Sequence, residues 1–161
     1  MKVNFTPEGY HSITPSLVVK NGVKAIDFYK RAMGATSMGD PFMDPNGKLM
    51  HAELTIGDSR FMMSDEYPEM GTRSPESSNG TSSLLYVYVQ NVDNTVKQAV
   101  DNGAKLLMPV ADQFYGDRMG SIKDPFGHVW QIATHIENVT PEEMRKRGME
   151  MFNKKNVTNK S

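Results

Sequence analysis

Apolar and polar residues alternate in short bursts along most of the chain, the period expected of strands with one buried face. The first burst is Ile13 to Val19, with Ile13, Pro15, Leu17 and Val19 on one face and Thr14, Ser16 and Val18 on the other. Strands follow at about Thr36–Phe42, Leu49–Ile56 and Arg60–Ser64, then at Leu84–Gln90 and about Lys105–Pro109. A final hairpin fills Asp117 to His135, its second strand beginning at Val129. Two segments switch to helical spacing. In Val23–Met33 the stripe is Val23, Ala25, Ile26, Tyr29, Ala32 and Met33; in Val92–Asn102 it is Val92, Val96, Ala99 and Val100.

Turn residues punctuate these elements: Asn21-Gly22, Asp44-Pro45-Asn46-Gly47, Gly57-Asp58 and Asp124-Pro125-Phe126-Gly127, with Gly34 and Gly103 as helix stops. Pro15 has no N–H for a ladder, so its strand belongs at an edge. Thr140-Pro141-Glu142-Glu143 has the residues of a helix start, Thr as N-cap and Glu at N3. Met144, Met149, Met151 and Phe152 give that helix an apolar side, to lie on its own domain or on a second subunit, and Lys154 to Ser161 should fray.

The two halves repeat. Gly34-Ala35 recurs as Gly103-Ala104, 69 residues on (103 − 34), and the same step takes Phe61 to Trp130 and Met62 to Gln131. One extra residue before the second helix then maps Thr14 to Leu84. This predicts an α+β fold, βαβββ twice, with a mixed sheet and a helix in each half. The expected layout is an arm at 1–10, a first module at 11–66, a linker or lid at 67–83, a second module at 84–138, and a C-terminal helix and tail at 139–161. The Pro, Ser, Gly and Asn content of the linker predicts mobility.

Composition removes several functions. The net charge is −1, which gives no electrostatic case for nucleic acid or an anionic membrane. No apolar run approaches the roughly 20 residues of a membrane span. Cysteine is absent, so disulfides and thiol catalysis are excluded and a cytoplasmic home is expected. No phosphate loop, nucleophile elbow or HExxH helix is present. The 13 methionines suit adaptable core packing or a permissive pocket.

Four motifs stand in order: Ile26 to Ala35, His51-Ala52-Glu53-Leu54 with Gly57-Asp58, Gly116-Asp117-Arg118, and Asp124-Pro125-Phe126-Gly127-His128 followed by Trp130. Over roughly residues 10–140 the chain resembles the vicinal oxygen chelate superfamily, which includes glyoxalase I, extradiol dioxygenases and bleomycin-resistance proteins, and within it the PhnB-like branch. The resemblance implies two sheets curved around a cavity and a homodimer. It also implies metal ligands on the first and last strands of each half. Those positions here are Thr14, Met62, Leu84 and Gln131, of which only Gln131 could serve, so no metal and no other cofactor is expected.

Strand parity places Ile13, Leu17, Val19, Ala52, Leu54, Ile56, Phe61, Met63, Leu85, Val87, Val89, Trp130 and Ile132 against helices. The opposite faces present Thr14, Ser16, His51, Glu53, Thr55, Arg60, Met62, Ser64, Tyr86, Tyr88, Gln131, Ala133 and His135, either to solvent or to a ligand. The expected ligand-binding residues are His51, Glu53, Met62, Tyr86, Tyr88, Arg118 and Gln131. His51 and Glu53 share a face and form either a hydrogen-bonded pair or, with His11 or His135, a rival metal site. Arg118 could clamp an anionic ligand group or brace the hairpin through Asp117 or Asp124. His128 reads as a turn residue on the surface. The leading expectation is a metal-free binder of a small organic molecule. The alternatives are a metal-dependent lyase, isomerase or dioxygenase, and a metal-free enzyme using His51–Glu53.

Overall fold

A computed structural model describes residues 3–158 of the chain. The first half holds β1 (Ser16–Val19), α1 (Gly22–Met33), β2 (Thr36–Ser37), β3 (Phe42–Met43), β4 (Leu49–Ile56) and β5 (Ser59–Asp65). The second holds β6 (Leu84–Tyr88), α2 (Val92–Asp101), β7 (Lys105–Asp112), β8 (Asp117–Lys123) and β9 (Val129–His135). A third α-helix, α3 (Pro141–Thr158), follows. The sheets run β1-β5-β4-β2, with β3 also on β4, and β6-β9-β8-β7. In each, the module's first strand lies parallel to its last. Ser16 faces Met62 in one and Tyr86 faces Gln131 in the other. These are equivalent pairs under the repeat. Among the described residues no helix is long and apolar enough to cross a membrane.

One core joins the modules. Phe28 and Tyr29 of α1 are buried with Phe61 of β5 and Trp130 of β9. Tyr29 lies 5.4–5.6 Å, centroid to centroid, from Phe28, Phe61 and Trp130. Each such side chain contributes about 1.5–3 kcal/mol by burial. Asp124 organises the Asp-Pro-Phe-Gly-His-x-Trp turn. Its Oδ1 accepts the Phe126 and His128 N–H groups, and its Oδ2 accepts Tyr29 Oη–H at 2.6 Å and Trp130 Nε1–H at 2.9 Å. The motif is therefore a structural rivet between turn, strand and the other module's helix. Asp65 does a similar job in the first module, accepting from Gly22 N at the start of α1 and from Leu49 N.

Several expectations are corrected. The first strand is shorter than Ile13–Val19: Pro15 blocks pairing upstream, and Ile13 is 88% exposed rather than in the core. Val23 is also exposed; the buried stripe of α1 is Ala25, Phe28, Tyr29, Ala32 and Met33. The expected strand Thr36–Phe42 breaks into β2 and β3 because Gly39 sits at φ 85° and Pro41 cannot donate. β7 runs on past Pro109 to Asp112. α3 continues through Thr158, so part of the expected frayed tail is helical; residues 159–161 lie outside the described residues.

The 67–83 stretch begins as a pinned strap. Ser74 is fully buried, and its N–H and hydroxyl both donate to Glu66 Oε2, while Ser77 donates to Oε1. These donors, led by the Ser74 N–H, outweigh burial and draw the Glu66 carboxyl down to about 2. His128 is half-buried, and its Nε2 donates to the Val18 carbonyl of β1 at 2.9 Å, so it ties the modules together.

Candidate functional site

The expected site residues fall into three places. On the open face of the first sheet, His51 Nε2 lies 3.1 Å from Glu53 Oε1, and Met62 stands opposite Glu53 in the β4–β5 ladder. The N-terminal arm folds over this face. Arg60 Nη1–H donates to the Glu8 carbonyl, and the guanidinium sits 4.7 Å from the centre of the Tyr10 ring. The Tyr10 hydroxyl is buried without a partner at full hydrogen-bonding distance. The nearby Tyr10 hydroxyl and His51 outweigh burial and hold the Glu53 carboxyl below the usual range. Thr55 Oγ1, on the same face, is likewise buried and unpartnered.

On the open face of the second sheet, Tyr86, Tyr88 and Gln131 come together. Both tyrosine hydroxyls donate to Asp117 Oδ2, at 2.7 and 3.0 Å, so the rings reach across β9 toward β8. His135 Nδ1 lies 2.8 Å from Asp117 Oδ1, and its Nε2 is 3.0 Å from Asn138 Oδ1. Asp117 is only 3% exposed. Burial pushes its carboxyl up, but His135, Tyr86 and Tyr88 together outweigh burial and hold it below the usual carboxylate range. Asn138 and Asp117 raise the basicity of His135. Burial and the neighbouring Asp117 push the Tyr86 phenol far up, so it stays protonated.

Arg118 is on the other side of β8. Its Nε and Nη2 grip Asp93 of α2, both at 2.8 Å, and Nη1 holds Asp112. It braces the second module, through these partners rather than Asp117 or Asp124. Asp117, which is not among the expected binding residues, is the acceptor on which Tyr86, Tyr88 and His135 converge. Period-two alternation puts Asp117 on the face of β8 opposite Arg118, and that parity is the signal in the sequence that marks it.

A cavity of about 540 Å³ lies at the seam between the modules and falls within the roughly 300–1,000 Å³ of small-molecule sites. Its walls come from the β1 approach (Ile13, Thr14), the β4–β5 turn with Arg60, and β6, with Trp130 behind. Of the seven expected residues, Tyr86 and Tyr88 line it.

The four positions at which the resemblance implies metal ligands carry side chains that do not suit an ion. Thr14, Met62, Leu84 and Gln131 offer a hydroxyl, a thioether, an alkyl chain and a neutral amide. Among the described residues no three His, Cys, Asp or Glu side chains converge as ligands, so His51 and Glu53 also lack a third partner.

A family model, Glyoxalase/Bleomycin resistance protein/Dioxygenase superfamily, matches residues 9–132. An uncharacterized protein of Mycobacterium bovis is 36% identical over 148 residues, covering 90% of this chain and 94% of its own. Among solved structures, a gene product of Arabidopsis thaliana aligns with a TM-score of 0.61 at 26% identity, over 77% of this chain and 98% of its own. A Bacillus cereus protein described as a putative 3-demethylubiquinone-9 3-methyltransferase, PhnB protein, shares the fold, with a TM-score of 0.56 at 20% identity, over 77% and 99%. The chain belongs to the Glyoxalase/Bleomycin resistance protein/Dioxygenase superfamily.

Proposed function

We propose that this chain binds a small organic molecule at the seam between its modules, holding it with its own groups and without the metal centre used by many relatives. The observation behind this reading is the seam cavity. It draws one wall from each module and combines Tyr86, Tyr88, Phe61 and Trp130 with Arg60. Aromatic surface supplies area at little entropic cost, and a few polar groups orient the ligand. His51, Glu53, Met62 and Gln131 extend the surface on the two open faces. The motifs favour the PhnB-like branch. A homodimer fits the exposed apolar side chains on those faces, including Leu84 at 50% and Tyr88 at 60%.

A thermal-shift screen of planar, aromatic and peptide-like compounds, run in EDTA, tests the proposal. The expected result is at least one saturable rise in Tm that disappears in Ser59→Phe, which fills the cavity from the exposed first position of β5. No rise with any compound at millimolar concentration would overturn it. Sedimentation as a monomer at micromolar concentration would refute the dimer.

A further inference from the structure

The seam is bounded by two strand edges whose outward backbone groups have no partner strand among the described residues. In a parallel ladder, a residue sends its N–H and C=O to one neighbour, and the next residue sends both the other way. Val89 N–H donates to the Ala133 carbonyl at 2.8 Å, which puts Val89, Val87 and Leu85 on the β9 side. Leu84, Tyr86 and Tyr88 therefore aim their N–H and C=O groups away from β9. Among the described residues no strand pairs with β6 there.

The facing edge obeys the same phase. Met62 N–H donates to the Pro15 carbonyl and Glu66 N–H to that of Val19, so Pro15, Leu17 and Val19 serve β5. Ser16 and Val18 point outward, and the outward carbonyl of Val18 is taken by His128. Two cavities follow this line. One, about 540 Å³, lies between Ile13–Pro15 and Leu85–Tyr88. The other, about 380 Å³, lies between Pro15–Val18 and Thr81, Ser83 and Leu85. The residues leading into β1 thus face the later part of β6, β1 itself faces the start of β6 and the residues before it, and the two edges run antiparallel across a slot.

Bare edges invite strand addition, and proteins usually guard them with charges, prolines or bulges. β6 reads Leu-Leu-Tyr-Val-Tyr and has none of these. We infer that the ligand of the seam is an extended peptide or peptide-like amide chain that adds to β6 as a short strand. Its N–H and C=O groups bond those of Tyr86 and Tyr88, and its side chains lie against Trp130 and Phe61 on one side and Ile13 on the other. This is the strand-addition mode of peptide recognition. It rests on the seam-cavity reading and narrows it: the ligand is chosen for its secondary amides, not merely for flat apolar surface.

Trp130 is the only tryptophan and lines the cavity, so its fluorescence reports binding directly. Three probes are titrated: a pool of capped tetrapeptides, the same pool with its central amides N-methylated, and a set of amide-free aromatic compounds. The inference expects saturable quenching by the capped pool, weakened about ten-fold or more by N-methylation, the equivalent of roughly one net hydrogen bond. Equal binding of both pools would overturn the inference, as would binding of the aromatic set alone; either leaves the seam cavity standing. Silence from all three would remove the cavity reading and this inference with it. Amide exchange in the free protein gives an independent check. Tyr86 and Tyr88 should exchange fast while Val87 and Val89 are protected, and slow exchange at Tyr86 and Tyr88 would also overturn it.

Discussion

Replacing Asp124 by alanine strips four donors of one acceptor group. Two of them, the Tyr29 hydroxyl and the Trp130 indole N–H, are in side chains that are 0% and 4% exposed, so water cannot take over. Each orphaned buried donor costs about 1–3 kcal/mol. The Phe126 and His128 amides are nearer the surface and recover part of their loss. The expected cost is about 3–5 kcal/mol, a large share of the roughly 5–15 kcal/mol available to a domain of this size. Asp124→Asn keeps the turn acceptor but presents an amide where two donors converge, and should cost about 2–4 kcal/mol. Tyr29→Phe removes one donor from a satisfied carboxylate and should cost about 1.5–3 kcal/mol. The double variant Asp124→Ala/Tyr29→Phe should then be less damaging than the two single effects combined, because the second change removes an orphan left by the first. Urea unfolding followed by Trp130 emission measures all four. A loss below about 1 kcal/mol for Asp124→Ala, or strict additivity, would refute the rivet.

Other outcomes follow from the same structure. Glu66 titrates in the folded chain at about 2, below its unfolded value, so the stability it lends is complete above roughly pH 4.5 and fades as pH falls toward 2. Ser74→Ala should raise that pKa toward the ordinary value in an NMR titration and make the acid transition begin at higher pH. His135 shifts the opposite way: its partners favour the cation, so their contribution is full below about pH 6.5 and is lost as pH climbs through its raised pKa. Asp117→Asn should lower the His135 pKa, and an unchanged imidazole titration would contradict the pairing. At Gly116, φ is 99° and an added Cβ would lie 2.2 Å from the Glu137 carbonyl oxygen. Gly116→Ala should therefore cost about 2–5 kcal/mol in the same urea assay, and a neutral result would show that the segment before α3 is not seated as described.

Strand parity made most of the architecture legible. Ala52, Leu54 and Ile56 are buried and His51, Glu53 and Thr55 are not, as alternation requires, and the repeat register reappears as the matching Ser16–Met62 and Tyr86–Gln131 pairs. What parity could not give was strand order. Tyr86 and Tyr88 reach Asp117 only because β9 lies between β6 and β8, a neighbour relation that no local pattern encodes. Arg118 shows the same gap. Standing between Asp117 and Met119 it had to face one side of β8, but which side depended on the pairing with β9. No local pattern marks the arm's place, because its contacts, Glu8 and Tyr10 on Arg60, span some 50 residues. The seam cavity lies deeper still, since it exists only once Tyr29, Phe126 and His128 have fixed one module against the other.

The central claim, that the seam holds its ligand with the chain's own groups, is tested most directly by titrating one screened ligand into protein before and after EDTA treatment, with Trp130 fluorescence as the signal. The account predicts superimposable binding curves, unaltered by added zinc, manganese or iron(II). Loss of binding in EDTA with recovery on adding one equivalent of a divalent ion would contradict it.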